Sequence, residues 1–154
     1  MDKPIYYYSG PIQTGKTTRV GKWASQNNCS GILAPIINGK RHLKDIKSGE
    51  IKLLESDSNR NTISIGKYNF KKEVFEWGRQ KLLTEYESEP EWLIIDEYGK
   101  LELRDEGLEP AISTIINHWK IDKKIKLLII VRDYLVNDFI KMFDTGIKLI
   151  EFKI

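Results

Sequence analysis

A glycine-rich segment near the amino end carries the residue types that bind phosphate groups. The sequence from Gly10 to Thr17 fits the pattern G-x-x-x-x-G-K-[ST] at every position. In such a loop, backbone N–H groups surround the phosphates, and glycine is needed where a side chain would collide or φ is positive. We expect Lys16 to reach the β- and γ-phosphates and the Thr17 hydroxyl to bind Mg²⁺. The predicted nucleotide-binding residues are Gly10, Pro11, Ile12, Gln13, Thr14, Gly15, Lys16, Thr17 and Thr18.

Two adjacent acids follow an apolar run later in the chain. Residues 92–95 are continuously apolar and lead into Asp96 and Glu97, and such runs are typical of strands covered on both faces. Where a phosphate-binding loop is present, an aspartate at this place holds the Mg²⁺ ion, which predicts that role for Asp96. The next acid can face the γ-phosphate and orient the attacking water, so Glu97 is a predicted catalytic residue beside Lys16. The alternative is a pair of solvated acids at a strand end.

Arg132 is a third candidate, because it directly follows the apolar run at 126–131. Ligands of open α/β sheets bind at the carboxyl ends of the strands. A cation there could sense the γ-phosphate or neutralise charge in the transition state, an effect worth about 10³–10⁵ in rate where an arginine is supplied. The alternative is an ion pair with Asp133 or with another surface acid, and the sequence does not separate the two.

The surrounding elements alternate between strands and helices, which predicts a mostly parallel sheet. Asn38-Gly39 is a strong hairpin signal, and the middle third of the chain is predicted to form an antiparallel β insertion at about 31–70. Strands are predicted at 5–8, 31–37, 41–46, 51–54, 62–70, 92–95, 126–131 and 148–154, and helices at 16–26, 71–87, 108–119 and 135–143.

The composition fits one globular domain over residues 1–154. Forty per cent of the residues are hydrophobic and 31% are charged, and the net charge is only +3. This small, scattered excess does not favour a nucleic-acid partner. A single cysteine, Cys29, excludes an internal disulfide framework and a Cys-rich metal site. No apolar run approaches the roughly 20 residues of a membrane helix and the amino end has no signal-peptide core, so we expect a cytoplasmic protein without a membrane partner.

The sequence from Asp96 to Leu103, Asp-Glu-Tyr-Gly-Lys-Leu-Glu-Leu, resembles the Asp-Glu-Ile-Gly-Lys-Met-Glu-Leu signature of the small P-loop nucleoside-triphosphatases, the family of the cancer-related nucleoside-triphosphatase. The stretch at 65–68, Ile-Gly-Lys-Tyr, is similar to a Val-Gly-Lys-Tyr-like stretch of that family. The segments 31–55 and 131–134 depart from the family pattern, which indicates a divergent branch.

This resemblance implies a three-layer α/β/α P-loop NTPase fold with a RecA-like sheet, in which the strand at 126–131 lies between the P-loop strand and the Asp96 strand. It also implies slow hydrolysis of ATP, GTP and other triphosphates with broad base tolerance. The roles it implies are phosphate binding by Gly10 through Thr17, Mg²⁺ binding by Thr17 and Asp96, and water activation by Glu97.

Three functions from different classes fit these residues. Mg²⁺-dependent hydrolysis of nucleoside triphosphates is favoured, since Glu97 follows the predicted metal ligand. A nucleoside or nucleotide kinase would use the same loop with a second acceptor pocket, but its lid needs clustered arginines. The six arginines of this chain are dispersed in the sequence. A nucleotide-gated binding module would contact a protein partner through the β insertion at 31–70.

Overall fold

In the computed structural model, the chain forms a mostly parallel sheet with helices on both faces. The structure describes residues 3–10, 15–122, 124–143 and 146–154. The strands are β1 (Ile5–Gly10), β2 (Cys29–Leu33), β3 (Ile36–Ile37), β4 (Lys40–Asp45), β5 (Ile51–Leu53), β6 (Glu55–Ser56), β7 (Thr62–Ile65), β8 (Tyr68–Lys71), β9 (Trp92–Tyr98), β10 (Lys126–Arg132) and β11 (Leu149–Glu151). The helices are α1 (Lys16–Ser25), α2 (Lys72–Glu87), α3 (Lys100–Leu103), α4 (Ala111–Asp122) and α5 (Val136–Phe143), with a 3₁₀ turn at Asp133–Leu135.

The order of the strands brings the predicted site residues to one edge of the main sheet. The order is β11-β1-β10-β9-β2-β4-β3, and β5 pairs with β4. The five strands from β11 to β2 are parallel, which confirms the predicted fold and the position of β10 between β1 and β9. Parallel strands end at the same edge of a sheet, so Gly10 lies opposite Arg132 in the register of β1 and β10. Asp96 lies near the same edge, where it pairs with Ile130.

The two faces of the sheet are covered by different helices. On one face, Val20 of α1 packs in a cluster with Ile94 and other alternate residues of the parallel strands. On the opposite face, α2, α4 and α5 contribute Leu82, Ile112 and Phe139 to a larger cluster. Alternate residues of β9 and β10 enter one cluster or the other, which explains the continuous apolar runs in the sequence. Among the described residues, no helix is both long and apolar enough to cross a membrane.

The antiparallel segment begins later than the sequence pattern suggests. β2 pairs in parallel with β9, so it belongs to the core sheet, and the antiparallel strands start at Ile36, after Pro35. The turn at Asn38-Gly39 joins β3 to β4, as predicted. β3 and β5 both pair with β4 in the antiparallel direction, and these strands extend the sheet beyond β2.

A second, three-stranded sheet replaces the single strand predicted at 62–70. This range is a hairpin of β7 and β8, because Gly66 adopts a φ of +56° and lets the chain reverse. The polar residues at 55–56, predicted as loop, form β6 and pair with β8. The apolar residues alternate as Ile63 and Ile65 before the turn and as Tyr68 and Phe70 after it, so the alternation shifts by one position at the reversal, a signal that the prediction of a single strand did not use.

β2 approaches β9 most closely at Gly31. A Cβ atom at this position would lie 2.0 Å from the carbonyl oxygen of Ile94, and Gly31 has a φ of +127°. A side chain is therefore excluded by the backbone of the neighbouring strand. This close approach positions the segment after β2 so that the Ala34 N–H donates a hydrogen bond to Asp96 Oδ2 at 2.9 Å.

A buried glutamate fixes the loop that follows β9. Glu102 is 4% exposed, and its two carboxylate oxygens accept hydrogen bonds from the backbone N–H groups of Gly99 and Leu108, both at 2.9 Å. Burial raises the pKa of Glu102 to about 7, although these N–H groups stabilise its charged form. Glu102 therefore ties both ends of the 99–108 segment together and positions the residues just after Glu97.

The substitution Gly31→Ala should destabilise the protein by about 3 kcal/mol or more, because the new Cβ collides with backbone that cannot move without separating β2 from β9. Gly49→Ala is the matched control: Gly49 also has a positive φ, but its Cβ would meet no atom within 4 Å. That variant should lose about 1 kcal/mol. Urea unfolding followed by circular dichroism measures both losses, and equal losses would contradict the close approach.

The substitution Glu102→Ala should lower the free energy of unfolding by about 2–4 kcal/mol, because it leaves two buried N–H donors without an acceptor. Glu106→Ala removes a partly exposed acid of the same loop that pairs with Arg104 and should cost less than about 1 kcal/mol. Thermal unfolding of the two variants distinguishes a buried clamp from a surface acid. If Glu102→Ala is as stable as Glu106→Ala, the hydrogen bonds of Glu102 do not stabilise the 99–108 segment.

Candidate functional site

α1 begins at Lys16, near the carboxyl end of β1. Gly15 occupies the N-cap position, and the first turn of α1 has no acidic residue. The Lys16 ammonium donates a hydrogen bond to the Gly10 carbonyl oxygen at 2.7 Å, so this side chain reaches back to the last residue of β1. Unpaired N–H groups and the positive end of the helix dipole favour an anion at this place. Of the other predicted nucleotide-binding residues, Thr18 is exposed on α1, and Pro11, Ile12, Gln13 and Thr14 lie outside the described residues.

Thr17 and Asp96 meet in space although 79 positions separate them in the sequence. The Thr17 hydroxyl donates a hydrogen bond to Asp96 Oδ2 at 2.7 Å, and the same oxygen accepts the Ala34 N–H. The sequence analysis did not identify Ala34, because its contribution is a backbone group without a side-chain signal. Three chain segments therefore converge on one carboxylate.

The other oxygen of this carboxylate fits a metal ion. Asp96 is fully buried, and its Oδ1 has no hydrogen-bond partner among the described residues. Leaving such an oxygen unpaired is costly. Burial, with a contribution from the nearby charge of Glu97, raises the pKa of Asp96 to about 6, and a bound cation would offset that cost. A hydroxyl and a carboxylate are ligands that Mg²⁺ accepts, with phosphate oxygens and water completing its shell.

The described residues contain no group of three or more His, Cys, Asp or Glu side chains that could hold a metal ion without further ligands. A cation at Asp96 would therefore depend on oxygens from a bound phosphate compound. This agrees with the usual behaviour of Mg²⁺, which keeps several waters and binds through one or two protein oxygens plus substrate phosphates.

A bulge in β9 directs the two adjacent acids to different surroundings. Ile130 pairs with Asp96, but the next residue of β10, Val131, pairs with Tyr98, so Glu97 is the extra residue. Regular alternation would place Tyr98 on the face of Asp96, whereas Tyr98 is buried in the larger cluster on the opposite face. Glu97 thereby leaves the strand pairing and reaches the edge of the sheet. The peptide bond between the two acids is cis.

Glu97 forms an ion pair with Arg132 at this edge. The Arg132 Nε donates a hydrogen bond to Glu97 Oε1 at 2.7 Å, and the two side chains are only 26% and 15% exposed. Burial disfavours the charge of Arg132, but Glu97 outweighs it and raises the pKa of the guanidinium. The sequence analysis left open a role at the γ-phosphate or an ion pair with Asp133 or another surface acid; the observed partner is Glu97, which the sequence analysis did not name as a partner of Arg132.

A pocket of about 640 Å³ opens beside this ion pair. Asp96, Glu97 and Arg132 are among its lining residues, and so are residues of the β7–β8 hairpin. Of the described part of the glycine-rich segment, residues 10 and 15–17 do not line it. Its apolar side chains are Ile36, Leu43, Leu54, Ile65, Phe70, Phe75, Leu101 and Leu108.

The sequence analysis did not identify this pocket, because its walls come from distant segments. Arg41 is a missed residue: it lines the pocket, and its Nη1 donates a hydrogen bond to the Ala34 carbonyl oxygen at 2.6 Å. The one available signal was the stretch at 65–68, which carries part of the family resemblance and forms the tip of the β7–β8 hairpin.

Comparison with known proteins shows the family and the fold of the chain. The crystal structure of THEP1 from the hyperthermophile Aquifex aeolicus is similar to this chain, with a TM-score of 0.67 and 20% sequence identity over 96% of this chain and 88% of that one. At that identity the likeness shows a shared fold. No curated protein matches the chain. The model of the NTPase family matches residues 6–152, and because this match spans nearly the whole sequence, the chain belongs to the NTPase family and is a small P-loop NTPase.

Proposed function

We propose that the chain hydrolyses nucleoside triphosphates to diphosphate and inorganic phosphate, with Mg²⁺ bound by Thr17 and Asp96 and with little discrimination between bases. The observation that carries this proposal is the hydrogen bond between Thr17 and Asp96, which joins the start of α1 to the end of β9. Lys16 begins the same helix, so a triphosphate held there would present its γ-phosphate to the carboxyl end of β9.

In this proposal, different side chains have different roles around the γ-phosphate. Lys16 binds the β- and γ-phosphate oxygens, while Mg²⁺, which Thr17 and Asp96 would hold, would neutralise part of the phosphate charge. Glu97 orients a water molecule whose oxygen attacks the γ-phosphorus. The bond from that phosphorus to the bridging oxygen breaks, the diphosphate leaves with the electron pair, and the water proton passes to Glu97 or to solvent.

Arg132 has two roles in this scheme. Its bond to Glu97 holds the carboxylate in one orientation before reaction. Its charge lies at the end of β10, beside the place that the γ-phosphate would occupy, where a guanidinium stabilises the charge that develops on the transferred group. The location of both side chains on the wall of one pocket supports these roles.

The substitution Glu97→Gln should reduce the rate of phosphate release by about 10²–10⁴-fold, because the amide cannot accept a proton from water. Binding of ATP, GTP, CTP and UTP, measured by calorimetry, should persist in this variant and should be lost in Lys16→Ala. Chelation of Mg²⁺ by EDTA should abolish turnover of the wild type.

Glu91→Gln is the matched control, since Glu91 lies just before the opposite end of β9 and pairs with Lys126 at the surface. Its rate should equal that of the wild type. If Glu97→Gln also releases phosphate at the wild-type rate, Glu97 has no part in the reaction.

The substitution Arg132→Ala should lower kcat by about 10³-fold, the lower end of the effect of a supplied arginine, and Arg132→Lys should restore only a small part. Arg104→Ala removes a half-exposed arginine and should leave kcat unchanged. If the ion pair has only a structural role, Arg132→Ala should have a lower melting temperature and an unchanged kcat. Steady-state kinetics together with thermal unfolding separates these two results.

A further inference from the structure

We propose that the pocket beside Glu97 binds a nucleoside monophosphate as a phosphoryl acceptor, so that this site transfers the γ-phosphate as well as releasing it to water. The inference rests on the proposed function, since it takes the γ-phosphate to lie beside Asp96 and Glu97. It adds a second substrate and a second binding site to that function.

The position of the pocket assigns it to a second molecule and not to the base of the triphosphate. A triphosphate bound by Lys16 and the start of α1 points its γ end toward Asp96, so its base lies at the far end of the phosphate chain. Asp96, Glu97 and Arg132, which lie on the γ side, line the pocket, whereas the described residues 10 and 15–17 of the glycine-rich segment do not. An occupant that lies against Glu97 would therefore be next to the γ-phosphorus, where an acceptor must enter.

The size and lining of the pocket favour a flat organic ring. Hydrolysis needs one water molecule, whose volume is about 30 Å³, whereas this pocket measures about 640 Å³ and falls within the range of small-molecule sites. On one wall, the rings of Tyr68 and Phe70 lie nearly parallel, with 9° between their planes and 6.3 Å between their centroids. The Phe75 ring meets Phe70 edge-on. Aromatic surfaces of this kind stack with bases of any type.

The charges of the pocket favour an acceptor that is an anion. Lys67 and Lys100 are exposed and lie 5.4 Å and 5.7 Å from the ring centroids of Tyr68 and Tyr134, and neither ammonium pairs with a carboxylate of the described residues. Arg41 and Arg132 line the same pocket. Two of the arginines that are dispersed in the sequence thus line one cavity, together with two lysines.

The acids of the pocket are largely occupied by protein donors. Glu55 accepts the Arg41 N–H at 2.9 Å, Glu102 accepts the N–H groups of Gly99 and Leu108, and Glu97 accepts Arg132. Asp96 is the proposed Mg²⁺ ligand. Of the four cations, Lys67 and Lys100 are exposed and have no carboxylate partner among the described residues, so they remain available to the phosphate of an acceptor.

The transfer step balances with the two nucleotides alone. A phosphate oxygen of the monophosphate attacks the γ-phosphorus with its lone pair. The bond between that phosphorus and the bridging oxygen breaks, and the donor diphosphate leaves with the electron pair. The acceptor becomes a second diphosphate, and no proton transfer is required because the attacking oxygen is already ionised near neutral pH.

Binding can be tested separately from turnover. Calorimetry of the Lys16→Ala variant with AMP, GMP, CMP and UMP should detect binding to the pocket, because the triphosphate site of that variant is disabled. Adding Tyr68→Ala or Lys67→Glu should weaken this binding at least 10-fold. Both changed residues are exposed, so the fold should persist. Lys47→Glu reverses an exposed charge outside the pocket and should have no effect. If no monophosphate binds, or if Tyr68→Ala and Lys67→Glu leave the binding unchanged, the proposal of a monophosphate site is overturned.

Transfer is tested with the wild type and ATP labelled at the γ-phosphate. The label should appear in a nucleoside diphosphate when a monophosphate is added, and uncharged nucleosides and ribose 5-phosphate should accept at least 10-fold less. Release of labelled phosphate without any labelled diphosphate would overturn the acceptor proposal and leave hydrolysis standing. Monophosphate binding without any turnover of triphosphate would instead overturn the proposed function, including the transfer step.

Discussion

The carboxylate of Asp96 is the group on which the site depends, because it is wholly buried and bonds two other segments of the chain to β9. Its Oδ2 accepts the Thr17 hydroxyl and the Ala34 N–H, while Oδ1 has no described protein partner. Such an arrangement is costly for a protein without a cation. The close approach of β2 at Gly31 and the parallel register of β9 and β10 are what bring the three segments together. The contacts that stabilise the sheet here therefore also set the geometry of the site around this carboxylate.

The bulge at Glu97 explains how two adjacent acids at the end of one strand reach two different chemical environments. Without the extra residue, strict alternation would send Glu97 into the apolar cluster that holds Tyr98, where a carboxylate would be expensive to bury. With it, Asp96 contacts Thr17 at the start of α1, and Glu97 contacts Arg132 on the wall of the pocket. The proposed Mg²⁺ ligand and the proposed water-orienting acid are thus adjacent in the sequence but lie in different surroundings.

The features predictable from sequence are those encoded within short segments. The glycine-rich segment, the apolar runs of β9 and β10 and the amphipathic α4 carry their signals in neighbouring residues. The position of β10 between β1 and β9 was implied by the family resemblance alone. The reversal at Gly66 was missed because the apolar residues alternate on both sides of it, and the prediction did not use the one-position shift between the two halves. The partner of Arg132, the role of the Ala34 N–H and the clamp at Glu102 depend on pairings between distant segments. No local pattern records such pairings.

The pocket shows why residue spacing in the sequence is a poor guide to the choice between hydrolysis and transfer. Both reactions need the same donor groups at Lys16, Thr17 and Asp96, and they differ in what occupies the space beyond Glu97. In this chain that space is bounded by aromatic rings and by cations from four different segments. If the proposed transfer takes place, the segment between β2 and α2 would contact the acceptor, because many of its residues line the pocket.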